Sequence, residues 1–188
     1  MGCRRALDAG CGAGVFARIL ASRVGTVDAV DRSQVMIGRA SAGSGGCSVR
    51  WLCGDLLDPS LPVDPDGYDL VTALSSLHHM PLRPALARLA ALVRPGGKLA
   101  VVGCYRPAGP GDYLLDALAI PANVVVGAVL AIRGRTGKPH DEDMPVKWPP
   151  ETSLADVRQA AADLLPGARI QRLLFFRYGL AWTRPAID

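Results

Sequence analysis

Short apolar runs alternate with amphipathic stretches over the first 105 residues of the chain. The runs over residues 4–7, 26–30, 49–53, 68–74 and 99–103 predict five strands. Between them, apolar residues recur every three or four positions and predict helices that begin at Val15, Ser33 and Pro84. Strands that alternate with helices in this way indicate a doubly wound, mostly parallel α/β sheet of the Rossmann-like type.

The last third of the chain has a different pattern. Residues 113–120 and 122–132 are typical of two apolar helices, and a polar, proline-rich loop follows over 135–150. We expect 111–150 to form a helical insertion near the mouth of the ligand crevice, which in such sheets lies at the carboxyl ends of the strands.

A helix and a hairpin are predicted to complete the sheet. Ser153 and Asp156 form a capping-box pattern, which predicts a helix through Leu165. Segments 169–176 and 180–183 then predict an antiparallel β-hairpin around Arg177-Tyr178-Gly179, giving seven strands in all. We expect residues 1–188 to form a single domain.

Composition narrows the class of protein. A chain of 188 residues with 49% hydrophobic residues can bury one sizeable core. The net charge of +4 comes from scattered arginines, so no nucleic-acid partner is expected. Five cysteines without a C-x-x-C pair fit reduced thiols in the cytoplasm. Residues 114–132 approach the length of a membrane span but include Asp116, Pro121 and Asn123, and no span is predicted.

The most informative motif is a glycine-rich turn that follows the first strand. Gly10, Gly12 and Gly14 alternate directly after Asp8, and Asp31 ends the next apolar run. A strand that enters a helix through so tight a turn needs residues without Cβ, and such a turn lets a ligand approach the backbone closely. This arrangement predicts a site for a nucleoside cofactor.

Two well-known nucleotide motifs do not match. The dinucleotide fingerprint needs a third glycine three residues after Gly12, where this chain has Val15. A phosphate-binding P-loop needs a Gly-Lys-Ser/Thr sequence, and Gly97-Lys98 is followed by Leu99.

Acidic residues stand at the ends of three successive strands. Asp8, Asp31 and Asp55 together suit hydroxyl and ammonium groups of a ligand, although Asp55 alone is equally typical of a turn former. Four other acids show no such pattern and fit turn or surface positions: Asp58, Asp64, Asp66 and Asp69.

The run Leu7-Asp8-Ala9-Gly10-Cys11-Gly12-Ala13-Gly14 resembles the first motif of the class I S-adenosylmethionine-dependent methyltransferases, in their small-molecule, type 11/25-like branch. Four later segments resemble further motifs of that family, in the same order along the chain. They are Val30-Asp31-Arg32-Ser33, Cys53-Gly54-Asp55-Leu56, Tyr68-Asp69-Leu70-Val71 through Met80, and Leu92 through Leu99. The resemblance implies that Asp31 holds ribose hydroxyls and that Asp55 meets the adenine. The cofactor-binding residues that it implies are Asp8, Ala9, Gly10, Gly12, Gly14, Asp31, Arg32, Met36, Asp55, Leu56 and Leu74.

Two histidines are the candidates for a general base. His78 and His79 follow the fourth strand, where the resemblance places the transferable methyl group, and His79 is the preferred one. The alternative is that one histidine satisfies a backbone group while the other lines the pocket. No metal site is predicted, because His140 is remote from these two and the cysteines and aspartates nearby lack ligand spacing. Cys11 fits a small residue in a tight turn better than a reactive thiol.

Three functions follow as hypotheses. The first is methyl transfer from S-adenosyl-L-methionine to a small, apolar or partly apolar acceptor at O, N or C. The others are a non-catalytic cofactor-binding relative that acts as a partner or regulatory module, and an NAD-dependent oxidoreductase. Residues 114–132 would wall the acceptor pocket, with packing or a homodimer interface as alternatives. Relatives carry N-terminal helices that cover the cofactor, and we expect these to be missing here.

Overall fold

The computed structural model describes residues 3–43, 48–109, 113 and 150–186. Its strands are β1 (Arg5–Ala9), β2 (Thr26–Asp31), β3 (Val49–Cys53), β4 (Tyr68–Leu74), β5 (Val93–Cys104), β6 (Arg169–Leu173) and β7 (Arg177–Thr183). Its helices are α1 (Val15–Ala21), α2 (Gln34–Ala42), α3 (Leu82–Leu92) and α4 (Leu154–Leu164), with a 3-10 turn at Leu77–His79.

All seven strands form one sheet in the order β3-β2-β1-β4-β5-β7-β6. The first five strands are parallel, and β7 pairs antiparallel with both β5 and β6. The predicted Rossmann-like sheet with a terminal hairpin is therefore confirmed. The strand order reverses between β1 and β4, and a crevice is expected outside the carboxyl ends of strands at such a point.

Two apolar clusters hold the helices on the sheet. The larger cluster joins β1, β4 and β5 to α3 and α4, and it includes Leu7, Val71, Leu86, Leu99 and Val157, all fully buried. The smaller cluster packs Ala17 and Leu20 of α1 against Val27 and Ala29 of β2. The strands that are buried on both faces are those with nearly continuous apolar sequence, as expected for parallel sheets.

The fifth strand begins earlier than predicted. Its expected start was Leu99, because Pro95-Gly96-Gly97 is typical of a turn, but Val93 already pairs with Tyr68. The register then shifts between Tyr68 and Leu70, and Gly96 adopts a positive φ of 75°. The turn residues are thus accommodated as an irregularity within the strand.

The predicted hairpin turn is wrong by a few residues. Arg177-Tyr178-Gly179 belongs to β7, and the chain reverses at residues 174–176 instead. Tyr178 is fully buried and pairs with Gly103 of β5, so tertiary packing overrides the local turn preference of Gly179. The capping box of α4 is confirmed, since the Ser153 hydroxyl accepts from the Asp156 backbone and the Asp156 carboxylate accepts from the Ser153 backbone.

Charged groups form a network at the amino ends of the strands that the sequence did not reveal. Asp28 is buried and accepts from the Arg50 side chain and from the Tyr68 hydroxyl. Asp64 pairs with Arg5. These groups line a hollow of about 600 Å³. Because they bond one another, we interpret the hollow as a structural feature.

Asp69 is also more than a surface residue. Its carboxylate accepts from the backbone N–H groups of Arg4 and Arg5 and pairs with Arg94. It therefore ties the start of β1 to the start of β5.

The predicted insertion at 111–150 lies outside the described residues, apart from Tyr113 and Pro150. His140 lies outside them as well. In the part of the chain that the structure describes, no helix is long and apolar enough to cross a membrane.

Candidate functional site

A cleft of about 320 Å³ opens at the carboxyl ends of the strands, where the strand order reverses. It is lined by the turns that follow β1, β2, β3 and β4 and by the start of α2. Most of the residues implied as cofactor-binding line it, namely Gly10, Gly12, Asp31, Arg32, Met36, Asp55, Leu56 and Leu74. The preferred base, His79, lines it as well.

The glycine turn takes its shape from three left-handed backbone conformations. Gly10, Gly12 and Gly14 have φ of 74°, 51° and 75°. The N–H groups of Gly10 and Cys11 both donate to the Val30 carbonyl, at 2.7 and 2.9 Å. The turn is therefore fixed to the end of β2, and side chains there would strain the backbone.

Gly10 and Gly14 face neighbours that leave no room for a side chain. A Cβ at Gly10 would overlap the Ser76 side chain, and one at Gly14 would overlap the Trp51 ring. Gly14 therefore does not line the cleft; it caps α1 and packs against β3. Its contribution to a site is the shape of the turn.

Asp8 lies beneath the cleft and is 2% exposed. Its Oδ1 accepts from the Thr72 hydroxyl at 3.0 Å, whereas its Oδ2 is buried and has no hydrogen-bond partner among the described residues. Burial raises the pKa of Asp8 to about 6, against the lowering effect of the Thr72 hydrogen bond. A buried carboxylate oxygen without a donor is costly, and a ligand donor at the glycine turn would remove that cost.

Asp31 is held at the end of β2 by two backbone groups. Its Oδ2 accepts from the Gly12 N–H at 2.9 Å and its Oδ1 from the Ser33 N–H at 2.9 Å. Each carboxylate oxygen can accept a further hydrogen bond. Asp31 therefore couples the glycine turn to α2 and can still receive hydroxyl donors from the cleft.

Asp55 both forms a turn and lines the cleft, the two roles that the sequence analysis left open. Its Oδ1 accepts from the Leu57 N–H at 2.8 Å, which is the turn-forming role. The residue is nevertheless exposed and lines the cleft beside the buried Leu56. The turn bond fixes the carboxylate and leaves its other oxygen at the surface.

The turn after β4 contributes two serines that the sequence analysis missed. Ser75 lines the cleft with a positive φ of 55°, which is uncommon for a residue with a side chain. Ser76 also lines the cleft, and its hydroxyl donates to the Ala9 carbonyl at 2.7 Å. Ala9 is thereby buried under the turn and does not line the cleft. Their position in the sequence could have predicted this, since both serines directly follow β4, one of the two strands between which the strand order reverses.

The two histidines are placed differently. His79 lines the cleft, whereas His78 does not, and their rings lie 4.1 Å apart at an angle of 39°. Both belong to the 3-10 turn that follows Ser76. The order of preference between them is thus consistent with the geometry, and their role in catalysis stays a prediction.

Cys11 is not suited to reactivity. Burial raises the pKa of its thiol well above the usual range, and the nearby Asp8 and Asp31 carboxylates add to that effect. Among the described residues, no group of three potential ligands could hold a metal ion.

Comparisons with known proteins agree with this geometry. A family model described as a methyltransferase domain matches residues 6–97. An uncharacterized methyltransferase of Mycobacterium bovis is 36% identical over 187 residues, which cover 98% of this chain and 89% of that protein.

Two solved methyltransferase structures share the fold. The N-methyltransferase NodS of Bradyrhizobium japonicum, in complex with S-adenosyl-L-homocysteine, has a TM-score of 0.63 at 16% identity, covering 98% of this chain and 79% of its own. Magnesium protoporphyrin IX methyltransferase of Synechocystis, with bound S-adenosylmethionine, has a TM-score of 0.57 at 21% identity, covering 97% and 70%. Since the mycobacterial relative matches nearly the whole chain, the protein belongs to the class I S-adenosylmethionine-dependent methyltransferases.

Proposed function

We propose that the cleft binds S-adenosylmethionine and that the protein transfers its methyl group to a small, partly apolar acceptor at an O, N or C atom. One observation carries the proposal: the glycine turn and the Asp31 and Asp55 carboxylates meet in one cleft, above the buried Asp8. S-adenosylmethionine has no phosphate and carries an ammonium group and ribose hydroxyls, which suit carboxylates rather than an anion site.

The residues present fit this cofactor. Asp8, with its unpartnered Oδ2 under the glycine turn, would hold the ammonium group. Asp31 would accept from the ribose hydroxyls, and Asp55 with Leu56 would bind the adenine. Met36 and Leu74 supply apolar surface. When bound, the cofactor supplies a methyl group that is already electrophilic.

The chain's own contribution is to place the acceptor and exclude water. Leu74, Met80 and Pro81 give one wall of the cleft an apolar character, and His79 lies among them. Positioning an acceptor atom in line with a reactive group lowers the barrier substantially. A base is needed only for an acceptor that carries a proton at neutral pH, and His79 would take that proton.

Binding is the first test. We expect titration calorimetry to show one site for S-adenosylmethionine and for S-adenosylhomocysteine, and radiolabelled cofactor to label a small molecule in a metabolite extract. Binding without labelling would support the non-catalytic alternative. Absence of heat with both ligands at millimolar concentration would contradict the proposal. Only a fluorescence change of NADH on mixing would favour the oxidoreductase.

Replacing His79 tests the proposed base. His79→Gln is expected to lower kcat by about a hundredfold or more, because proton transfer by a positioned side chain contributes about 10²–10⁴-fold. Cofactor affinity should stay unchanged. Steady-state kinetics with the acceptor found in the extract and calorimetry with the cofactor measure the two effects.

His78→Gln is the matched control, since it changes the neighbouring ring outside the cleft. Equal losses in both variants would assign the histidines to packing. A loss of cofactor binding in His79→Gln would mean that the ring shapes the cofactor site.

A further inference from the structure

The end of β6 and the turn that follows it expose three consecutive apolar side chains. Leu173 is 40% exposed, Leu174 52% and Phe175 36%. We call residues 173–175 the hairpin tip. Phe175 and Phe176 have positive φ values of 60° and 52°, which bulky residues rarely adopt. Apolar side chains that a strained turn keeps partly exposed are a candidate contact surface.

Aromatic packing anchors the turn. The Phe176 ring meets the rings of Tyr105 and Tyr113 edge-on, with centroids 6.3 and 5.7 Å away. The Tyr105 N–H donates to the Phe176 carbonyl at 2.8 Å. The hairpin tip is thus presented on a fixed base.

Two exposed arginines, Arg169 and Arg177, lie on the strands that flank the hairpin tip. Residues 169–177 contain three arginines and no acidic residue, and the remaining one, Arg172, lies over the Tyr105 ring. Arg177 is exposed and stands directly opposite Leu173 in the β6–β7 ladder, so the two side chains share one face. Arg169 is exposed two positions from Gln171 on the same face. Within the described residues, neither Arg169 nor Arg177 forms an ion pair.

The hairpin tip lies at the same edge of the sheet as the cleft. Arg177, which begins β7, pairs with Cys104 at the end of β5. Val102, two residues earlier in β5, pairs with Leu74, and its carbonyl accepts from the N–H of Ser75 in the cleft. A surface bound by the tip would therefore face the edge where the cleft opens.

We infer that the hairpin tip docks on the surface of an anionic lipid bilayer, with residues 173–175 in the interface and arginines against the headgroup phosphates. Three apolar side chains are too few for a stable protein interface, which needs about 800 Å² from each partner. Peripheral attachment to a bilayer needs only a small apolar insertion and basic charge. The docking does not depend on methyl transfer. If the proposed function holds, docking would let an apolar acceptor reach the cleft from the bilayer, and this consequence alone rests on the proposed function.

Vesicle flotation of the full chain without cofactor tests the docking. We expect binding to phosphatidylcholine vesicles that contain phosphatidylglycerol, weakened by added salt. Leu174→Ser should lower the partition coefficient about tenfold, because it removes an apolar side chain that would enter the bilayer interface. Arg177→Gln should lower it about fivefold on the anionic vesicles only. The matched control is Ile19→Ser on α1, which removes an apolar side chain that is 49% exposed and should have no effect.

Three results would overturn the inference. They are absence of wild-type binding to anionic vesicles, an equal loss in Ile19→Ser, and a lipid-free dimer that Leu174→Ser dissociates in sedimentation experiments. Far-UV circular dichroism checks the fold, and if Leu174→Ser is unfolded, the exposed Arg177→Gln variant decides. A wild-type protein that binds S-adenosylmethionine in calorimetry but does not bind anionic vesicles would overturn the docking and leave the proposed function in place.

Discussion

Asp8→Asn is expected to stabilise the ligand-free protein while it weakens cofactor binding. The pKa of Asp8 is raised from 3.8 to about 6, chiefly because burial disfavours the charged carboxylate. At about 1.4 kcal/mol per pKa unit, the ionised group costs up to about 3 kcal/mol of unfolding free energy at neutral pH. The amide removes the charge and can still bond the Thr72 hydroxyl. Loss of the carboxylate charge should reduce the affinity for S-adenosylmethionine on the order of a hundredfold, since the ammonium group of the cofactor loses its buried negative partner.

The pH dependence gives the same prediction an independent measurement. Because the folded-state pKa is raised, the folded protein holds a proton that the unfolded chain releases as pH rises from about 4 to 6. The contribution of Asp8 to stability therefore falls with rising pH through this window and stays low above it. Chemical denaturation at several pH values should therefore show that the difference in unfolding free energy between Asp8→Asn and the wild type grows as pH rises from about 4 to 6 and stays constant above it.

Asp31→Asn is the matched control, because it is expected to lower the free energy of unfolding, whereas Asp8→Asn should raise it. The Asp31 carboxylate accepts from two backbone N–H groups, of Gly12 and Ser33. An amide can replace only one of these acceptors, so a loss of about 1–3 kcal/mol is expected. If Asp8→Asn were instead destabilising, the carboxylate would serve the fold rather than the ligand.

The sequence predicted the elements whose ends carry local signals. Val49–Cys53 and Tyr68–Leu74 are found as predicted, because apolar runs bounded by turn residues leave little freedom in their limits. The helix cap at Ser153 was readable for the same reason. The start of β5 and the hairpin turn were not, since pairing of Val93 with Tyr68 and burial of Tyr178 are tertiary effects that oppose local preference.

The candidate site divides in a similar way. Its glycines and acids could be predicted because their spacing along the chain repeats the order of strand ends. The partners that shape it could not, because Thr72 and Ser76 meet Asp8 and Ala9 across 64 and 67 residues of sequence. The resemblance implies that Asp8 and Asp31 both bind the cofactor. The structure adds that the Asp8 carboxylate is buried, whereas Asp31 lines the cleft.

Gly10→Ala is expected to damage fold and site together. The residue has a φ of 74°, and a Cβ there would overlap the Ser76 side chain. Ser76 is 8% exposed and its hydroxyl is fixed on the Ala9 carbonyl, so it has little room to move. A left-handed alanine costs about 1–2 kcal/mol, and forced overpacking adds about 1–3 kcal/mol. Denaturation should therefore show a loss of about 2–5 kcal/mol, and calorimetry should show no cofactor binding.

Gly96→Ala separates the two causes. Gly96 has nearly the same φ, 75°, but a Cβ there would meet nothing within 4 Å. It should lose only the conformational part, about 1–2 kcal/mol, and bind cofactor normally. Adding Ser76→Gly to Gly10→Ala should recover part of the lost stability, since it removes the overlapping side chain. Equal losses at Gly10 and Gly96 would mean that the glycine turn needs its backbone conformation alone, and that the packing of Ser76 against it does not shape the cleft.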